Sequence, residues 1–185
     1  MGNKLNIKKL PLLDSFLITP NSFKDDRGFF ARVYCTEELS SITDKPFLQV
    51  NQSLSYKKGT VRGMHFQHPP HSEIKIVKCI SGSIFDVIID IRKNSPTFLQ
   101  WHGEVLSRKN MNMLYVPEGF AHGFQALTDD CEILYFNSQL YAPESEGILN
   151  AKDPSIGIDW PDEITTISDK DSNAPYITNF NGLYI

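Results

Sequence analysis

The chain has 185 residues, 41% of them hydrophobic and 22% charged, a composition that fits one globular domain and excludes disordered, collagen-like and fibrous classes. Eighteen Lys and Arg stand against 22 Asp and Glu, a formal net charge of −4, so no overall positive field would draw nucleic acid or an anionic membrane. An anionic ligand therefore requires a local basic pocket.

From the N-terminus, Lys4, Lys8 and Lys9 surround short apolar pieces, but Asp14 interrupts before a signal-peptide length is reached, and no later run approaches a membrane span. Cys35, Cys79 and Cys131 are odd in number, far apart and without C-x-x-C spacing, which fits a reducing compartment and three buried apolar side chains. A cytoplasmic protein is expected. No repeat, low-complexity tract or long charge run marks an internal boundary, so residues 1–185 read as one unit.

Thr36–Ser41 is predicted as a short helix, with a second helical stretch near Pro143. The dominant signal is short strands at Thr60–Gln67, Ile74–Ile80, Ile84–Ile91, Met113–Val116 and Ile133–Asn137, rich in Ile, Val, Phe and Tyr. Turn chemistry separates them at Lys58-Gly59, Ser81-Gly82-Ser83, Asn94-Ser95-Pro96 and Pro117-Glu118-Gly119. An all-β, antiparallel sandwich or barrel follows, because neither helical stretch is long enough to supply the crossovers of a parallel sheet.

Strand parity adds a constraint. In Ile74–Ile80, Lys75 shares a face with Val77 and Cys79, while Lys78 shares the other with Ile74, Ile76 and Ile80. Both faces are largely apolar, so one Lys must enter an enclosed space and needs a negative group opposite it, unless it snorkels from a barrel mouth.

All five histidines fall between positions 65 and 122. Pro117 to His122 has the P-x-G-x-x-H form of the second motif of cupin barrels, whose metal-binding members pair that His with an H-x-H and a Glu. Here Gln67 follows His65 where the second His would stand, Glu73 is one residue out of the usual spacing, and His68 and His71 flank Pro69-Pro70 in a loop. Two nitrogen ligands are too few, so no metal is expected and the histidines read as acid–base groups.

The ordered series Arg62-Gly63-Met64-His65-Phe66-Gln67, Phe85-Asp86-Val87, Asp90-Ile91-Arg92, Ala121-His122-Gly123-Phe124, Tyr141-Ala142-Pro143, Ile158-Asp159-Trp160-Pro161 and Ser168-Asp169-Lys170-Asp171 resembles the dTDP-4-dehydrorhamnose 3,5-epimerase family. The resemblance runs from Asp26-Arg27-Gly28-Phe29 to near the C-terminus. It implies a cupin-like jelly-roll barrel, acting as a homodimer and without cofactor. It also implies inversion of centres beside the C4 ketone of a nucleotide-diphosphate-linked 4-keto-6-deoxyhexose, in deoxysugar biosynthesis for surface polysaccharide.

The chemistry fits the residues independently. A ketone acidifies the hydrogens on both flanking carbons, so inversion needs a base on one face, stabilisation of the enolate oxygen and an acid on the other face. By resemblance His65 is the base, Asp171 the carboxylate that orients it, Tyr135 the proton donor and Lys75 the cation beside the enolate. Tyr141 matches an aromatic ring stacked on the nucleotide base, and Arg27, Arg62, His122 and Lys170 match contacts to diphosphate and sugar. Gln49, Asn51 and Glu146 match polar substrate contacts. Asp90 and Arg92 read as a structural ion pair, and Asp86 stays unassigned.

One position departs from the pattern: Arg32 stands where the family carries a Glu that touches substrate. A forked donor suits the lone pairs of cytosine better than the N3–H of thymine, which opens the way to a CDP-linked sugar in place of a dTDP-linked one. The fold and the His base would also suit a related 3,4-ketoisomerase, and a cupin with a degenerate site could bind sugar without catalysis. Retention of His65, Lys75, Tyr135 and Asp171 together weighs against the non-catalytic cupin, since binding alone needs no acid opposite a base.

Overall fold

The computed structural model describes residues 3–185. Fourteen strands follow in chain order among them: β1 (Leu5–Lys9), β2 (Phe16–Pro20), β3 (Phe23–Asp25), β4 (Gly28–Phe30), β5 (Gln49–Ser55), β6 (Thr60–Gln67), β7 (Lys75–Ser81), β8 (Ser83–Asp90), β9 (Trp101–Ser107), β10 (Met113–Val116), β11 (Phe120–Ala126), β12 (Cys131–Asn137), β13 (Glu146–Ile148) and β14 (Thr166–Ile167). A one-turn α-helix, α1 (Thr36–Leu39), and a 3₁₀ turn at Pro143–Ser145 interrupt them, and a second one-turn helix, α2 (Asp169–Ser172), follows β14. No helix among the described residues is long and apolar enough to cross a membrane.

One sheet has the order β1-β2-β10-β7-β12-β5 and the other β13-β6-β11-β8-β9, all antiparallel, with β14 added parallel to β6 and β3–β4 standing apart as a hairpin. Non-sequential neighbours within both sheets give the jelly-roll arrangement.

Alternation along the strands explains where the core sits. On β8, Ile84 and Ile88 point between the sheets, with Val77 and Cys79 of β7, Phe120 and Phe124 of β11 and Ile133 of β12. Phe85, Val87 and Ile89 of the same strand point outward and are covered by Leu149, Ala151, Trp160 and Ile177 from the C-terminal segment. The outer face of the first sheet is covered in the same way: Ile74 and Ile76 pack with Leu5, Leu39 and Phe47. Each such aliphatic side chain removed from water contributes roughly 1.5–3 kcal/mol.

Both faces of β7 are thus enclosed, as parity requires. Lys75 lies between the sheets beside Glu73, and Lys78 on the other face donates to the Met111 carbonyl at 3.1 Å. Cys79 and Cys131 are buried as expected, whereas Cys35 is only half-buried because it precedes α1 on the surface. The Asp90–Arg92 pair is structural: Asp90 accepts from Arg92 Nη2 at 2.8 Å and from the hydroxyls of Ser95 and Thr97 at 2.6 Å each.

Candidate active site

The space between the sheets is mostly apolar, but the same alternation also brings polar side chains into it. Along the inward faces, Lys75 neighbours Val77 on β7, Tyr135 neighbours Ile133 on β12, Asp86 lies between Ile84 and Ile88 on β8, and His122 lies between Phe120 and Phe124 on β11. There the space opens as a cavity of about 500 Å³ lined by Arg62, His65, Lys75, His122, Tyr135, Lys170 and Asp171. A second hollow of about 290 Å³ shares Ser53, His65, Lys75 and Tyr135 with it and adds Gln49, Asn51, Tyr141 and Glu146. The two form one cleft.

His65 sits on β6 and is paired across the sheet with His122 on β11. Its Nε2 lies 2.8 Å from Asp171 Oδ1, and Asp171 Oδ2 accepts the Gly63 backbone N–H at 3.2 Å. Burial pushes the Asp171 carboxyl up, but the hydrogen bond and charge of the His65 ring outweigh it and hold the group below the usual carboxylate range. An ionised carboxylate only accepts, so His65 Nε2 carries the proton and the basic lone pair lies on Nδ1. Asp171 is fixed in turn by α2, whose N-cap Ser168 accepts the Asp171 N–H at 3.0 Å.

A bulge makes this end of β6 work. His122 opposes His65 while Phe124 opposes Arg62, so β6 uses one residue more than β11 between those pairs. Residues three apart on a regular strand face opposite ways, yet Arg62 and His65 both line the cleft. Gly63 occupies the bulge with φ +128°, and a Cβ there would lie 2.5 Å from the Gly123 Cα.

Opposite His65, on the other sheet, stand Lys75 and Tyr135. Lys75 Nζ is 3.0 Å from Glu73, the negative group that its enclosure demands. The Tyr135 hydroxyl is 3.0 Å from Ser53 Oγ, and burial pushes its pKa up to about 12, so the phenol holds its proton at neutral pH. His122 is buried and its Nε2 lies 2.8 Å from Asp86 Oδ1. Burial drives the Asp86 carboxyl up against the attraction of His122, and Asp86 Oδ2 has no hydrogen-bond partner among the described residues. The strand pairing thus gives Asp86, unassigned from sequence, a place behind His122.

At the rim, Glu146 Oε2 accepts from Lys170 Nζ at 2.6 Å and from the Tyr141 hydroxyl at 3.2 Å. Burial raises the Glu146 carboxyl, but Lys170 holds it low overall. Arg62 lies along the cleft edge, donating to Ser55 Oγ at 3.2 Å and to the Leu54 carbonyl at 3.0 Å. Sequence reasoning singles out neither Ser53 nor the work of Gln67. That buried amide donates to the His71 carbonyl at 3.0 Å and accepts the Ala142 N–H at 2.7 Å, which anchors the segment carrying Tyr141.

Two expected substrate contacts are not brought to this cleft. Arg27 lies on the exposed β3–β4 hairpin, paired with Asp25 in the turn. Arg32 gives its guanidinium to Glu38 of α1, which also accepts the backbone N–H groups of Lys4 and Leu5 at 2.7 Å each. Within this chain Arg32 therefore lies away from the cleft, with Nη1 engaged in fastening α1 to the first strand.

The family model described as dTDP-4-dehydrorhamnose 3,5-epimerase matches residues 9–179. A dTDP-4-dehydrorhamnose 3,5-epimerase of Salmonella typhimurium is 42% identical over 172 residues, covering 91% of this chain and 93% of that one. The crystal structure of the Legionella pneumophila dTDP-6-deoxy-D-glucose-3,5-epimerase in complex with dTDP-4-keto-L-rhamnose superimposes with a TM-score of 0.92 at 34% identity, covering 98% of each chain. ChmJ, a 3′-monoepimerase from Streptomyces bikiniensis solved with dTDP-quinovose, gives a TM-score of 0.85 at 33% identity, covering 91% of this chain and 86% of that one. With such coverage by sequence and by structure, this chain belongs to the dTDP-4-dehydrorhamnose 3,5-epimerase family of isomerases.

Proposed function

We propose that the protein inverts the carbon centres flanking the C4 ketone of a dTDP-linked 4-keto-6-deoxyhexose, with His65 as base and Tyr135 as acid. The observation that carries this reading is their placement on opposite sheets across one cavity, His65 on β6 and Tyr135 on β12. A hydrogen leaves toward His65, whose developing imidazolium Asp171 stabilises, and the proton that returns comes from the facing Tyr135. Lys75, beside Tyr135, neutralises charge on the enolate oxygen. Arg62, His122 and Lys170 supply donors for diphosphate and sugar, Gln49, Asn51 and Glu146 polar contacts at the second hollow, and Tyr141 a face for the base.

The working form in this reading is a cytoplasmic homodimer. The β3–β4 hairpin exposes Phe23, Phe29 and Phe30 beside Arg27, an apolar and cationic finger that the Lys4 ammonium, over the Phe23 and Phe30 rings, leaves largely open to solvent. Docked on a second copy, it carries Arg27 to that copy's cleft, which reconciles the family match at Arg27 with its distance from the site here.

The reaction is tested by incubating the protein with dTDP-4-keto-6-deoxyglucose in D₂O and following the sugar by NMR. Deuterium entering beside the ketone together with an inverted product is the expected result. Binding without exchange at either carbon would overturn the assignment and leave a sugar-binding cupin.

A further inference from the structure

We propose that Ser53 is a positioning residue for the inverting step, holding the Tyr135 hydroxyl in place and donating to the phenolate left after Tyr135 gives up its proton. This rests on the reading of Tyr135 as the acid. Ser53 lies on β5, the edge strand beside β12, where it pairs with Ile133; Tyr135, two residues further on, shares the Ile133 face and is its diagonal neighbour. The 3.0 Å contact between Ser53 Oγ and the Tyr135 hydroxyl follows from that geometry. Among the described residues the hydroxyl has no second partner, and Ser53 lines both parts of the cleft.

The chemistry of a buried phenol makes such a neighbour necessary. While Tyr135 donates, its single O–H must point at the substrate carbon, so Ser53 must be the donor in the contact between them. The enolate's electron pair forms the new C–H bond, the Tyr135 O–H bond breaks, and its electron pair stays on the phenolate oxygen. That anion lies in the half-buried wall of the cleft, and the serine hydroxyl is the group placed to hydrogen-bond it. The Arg62 guanidinium, held by Ser55 and the Leu54 carbonyl on the same strand, adds a positive field on this side. When product leaves, water returns a proton to Tyr135 and accepts the one His65 took, so the cycle closes with no net proton change.

The test uses the full chain as wild type, Ser53→Ala, Ser53→Thr, Tyr135→Phe and the double variant Ser53→Ala/Tyr135→Phe, with dTDP-4-keto-6-deoxyglucose in D₂O. Hydrogen exchange beside the ketone and formation of inverted product are measured separately. Loss of one hydrogen bond to a charged oxygen predicts a roughly ten- to hundredfold slower inversion in Ser53→Ala. Exchange should stay within about twofold, because the base is untouched. Ser53→Thr restores inversion, and Ser53→Ala adds nothing once Tyr135 is Phe. Equal loss of exchange and inversion in Ser53→Ala, or a further loss in the double variant, would overturn the proposal. Wild-type inversion by Tyr135→Phe would instead overturn the assignment of the acid, whereas inversion lost in Tyr135→Phe but intact in Ser53→Ala removes Ser53 alone.

Discussion

Asp171 Oδ1 lies 2.8 Å from His65 Nε2 although the two residues are 106 positions apart in the chain. The carboxylate is buried and the imidazole is not, so the buried partner fixes the tautomer and the accessible one faces the cleft. His65→Ala removes the base and should lower turnover by roughly 10² to 10⁴ with the fold retained. Asp171→Asn keeps a side chain of the same shape but removes the charge behind the imidazolium, and should cost less than His65→Ala while still exceeding tenfold. Steady-state rates on purified, folded variants decide it; near wild-type turnover in His65→Ala would remove the base from the mechanism.

The bulge that puts His65 and Arg62 on one face depends on Gly63. Both Gly63 and Gly28 have φ near +130°, at +128° and +133°, but only at Gly63 would a Cβ meet backbone, 2.5 Å from Gly123 Cα, while nothing lies within 4 Å at Gly28. Backbone strain of this kind costs roughly 1–3 kcal/mol, and the clash adds to it at one position alone. Gly63→Ala should therefore lower the melting temperature clearly more than Gly28→Ala, and should disturb activity with it.

How much of this the sequence discloses depends on whether a feature is local. Thr60–Gln67 and Met113–Val116 have the boundaries their composition predicts, because β-branched and aromatic runs end there in turn residues. The enclosure of Lys75 is equally local, following from parity within one strand. The pairing of His122 with Asp86 is not, since it needs the register of β11 on β8. The bulge hides its effect as well: simple alternation sets Arg62 and His65 on opposite faces. Gln49–Ser55 is no obvious strand because it is an edge, with polar Gln49, Asn51 and Ser53 facing the cleft and Val50 and Leu54 exposed on the other side. Ser53 is hidden in the sequence for that reason.

If the hairpin of one copy completes the cleft of another, Arg27→Ala and His65→Ala must complement each other. Each variant alone is impaired at every site, but a mixed dimer holds one cleft with both residues intact. Random mixing of equal amounts should restore activity to roughly a quarter of the wild-type sites. A mixture no more active than the sum of its parts, under conditions where subunits are shown to exchange, would place Arg27 outside the site.

Acid should weaken the fold through carboxylates that the folded state keeps ionised. Burial raises the Asp90 carboxyl, but hydrogen bonds from Arg92, Ser95 and Thr97 outweigh it and hold the group below its ordinary value. A depressed carboxylate contributes stability above the unfolded pKa and loses it as pH falls through the folded one, so the contribution is complete at neutral pH and fades below about pH 4. Asp90→Asn should cost roughly 1.5–3 kcal/mol at pH 7. The difference from wild type in denaturant titrations should shrink as pH drops toward 3, and a gap that is constant with pH would mean that charge is not what Asp90 contributes.

Arg32 supplies the last prediction, because sequence and structure point different ways there. As a lone substitution in a family motif, it suggests a donor turned toward cytosine. In the folded chain its guanidinium is paired with Glu38, and Glu38 also accepts the N–H groups of Lys4 and Leu5, so the three together tie α1 to β1. A guanidinium turned away to meet a base would leave Glu38, which is largely buried, without its cation, an arrangement that costs more than a rim contact returns. Burial raises the Glu38 carboxyl, but the hydrogen bond from Arg32 and the two backbone donors bring it below its ordinary value. Arg32→Glu should therefore lower the melting temperature by setting two carboxylates against each other. It should leave the ratio of dTDP to CDP affinity unchanged, with dTDP preferred in both proteins. Competition binding of the two nucleotides to wild type and variant reads this directly: a shift of tenfold or more toward dTDP on substitution would restore the base-reading role.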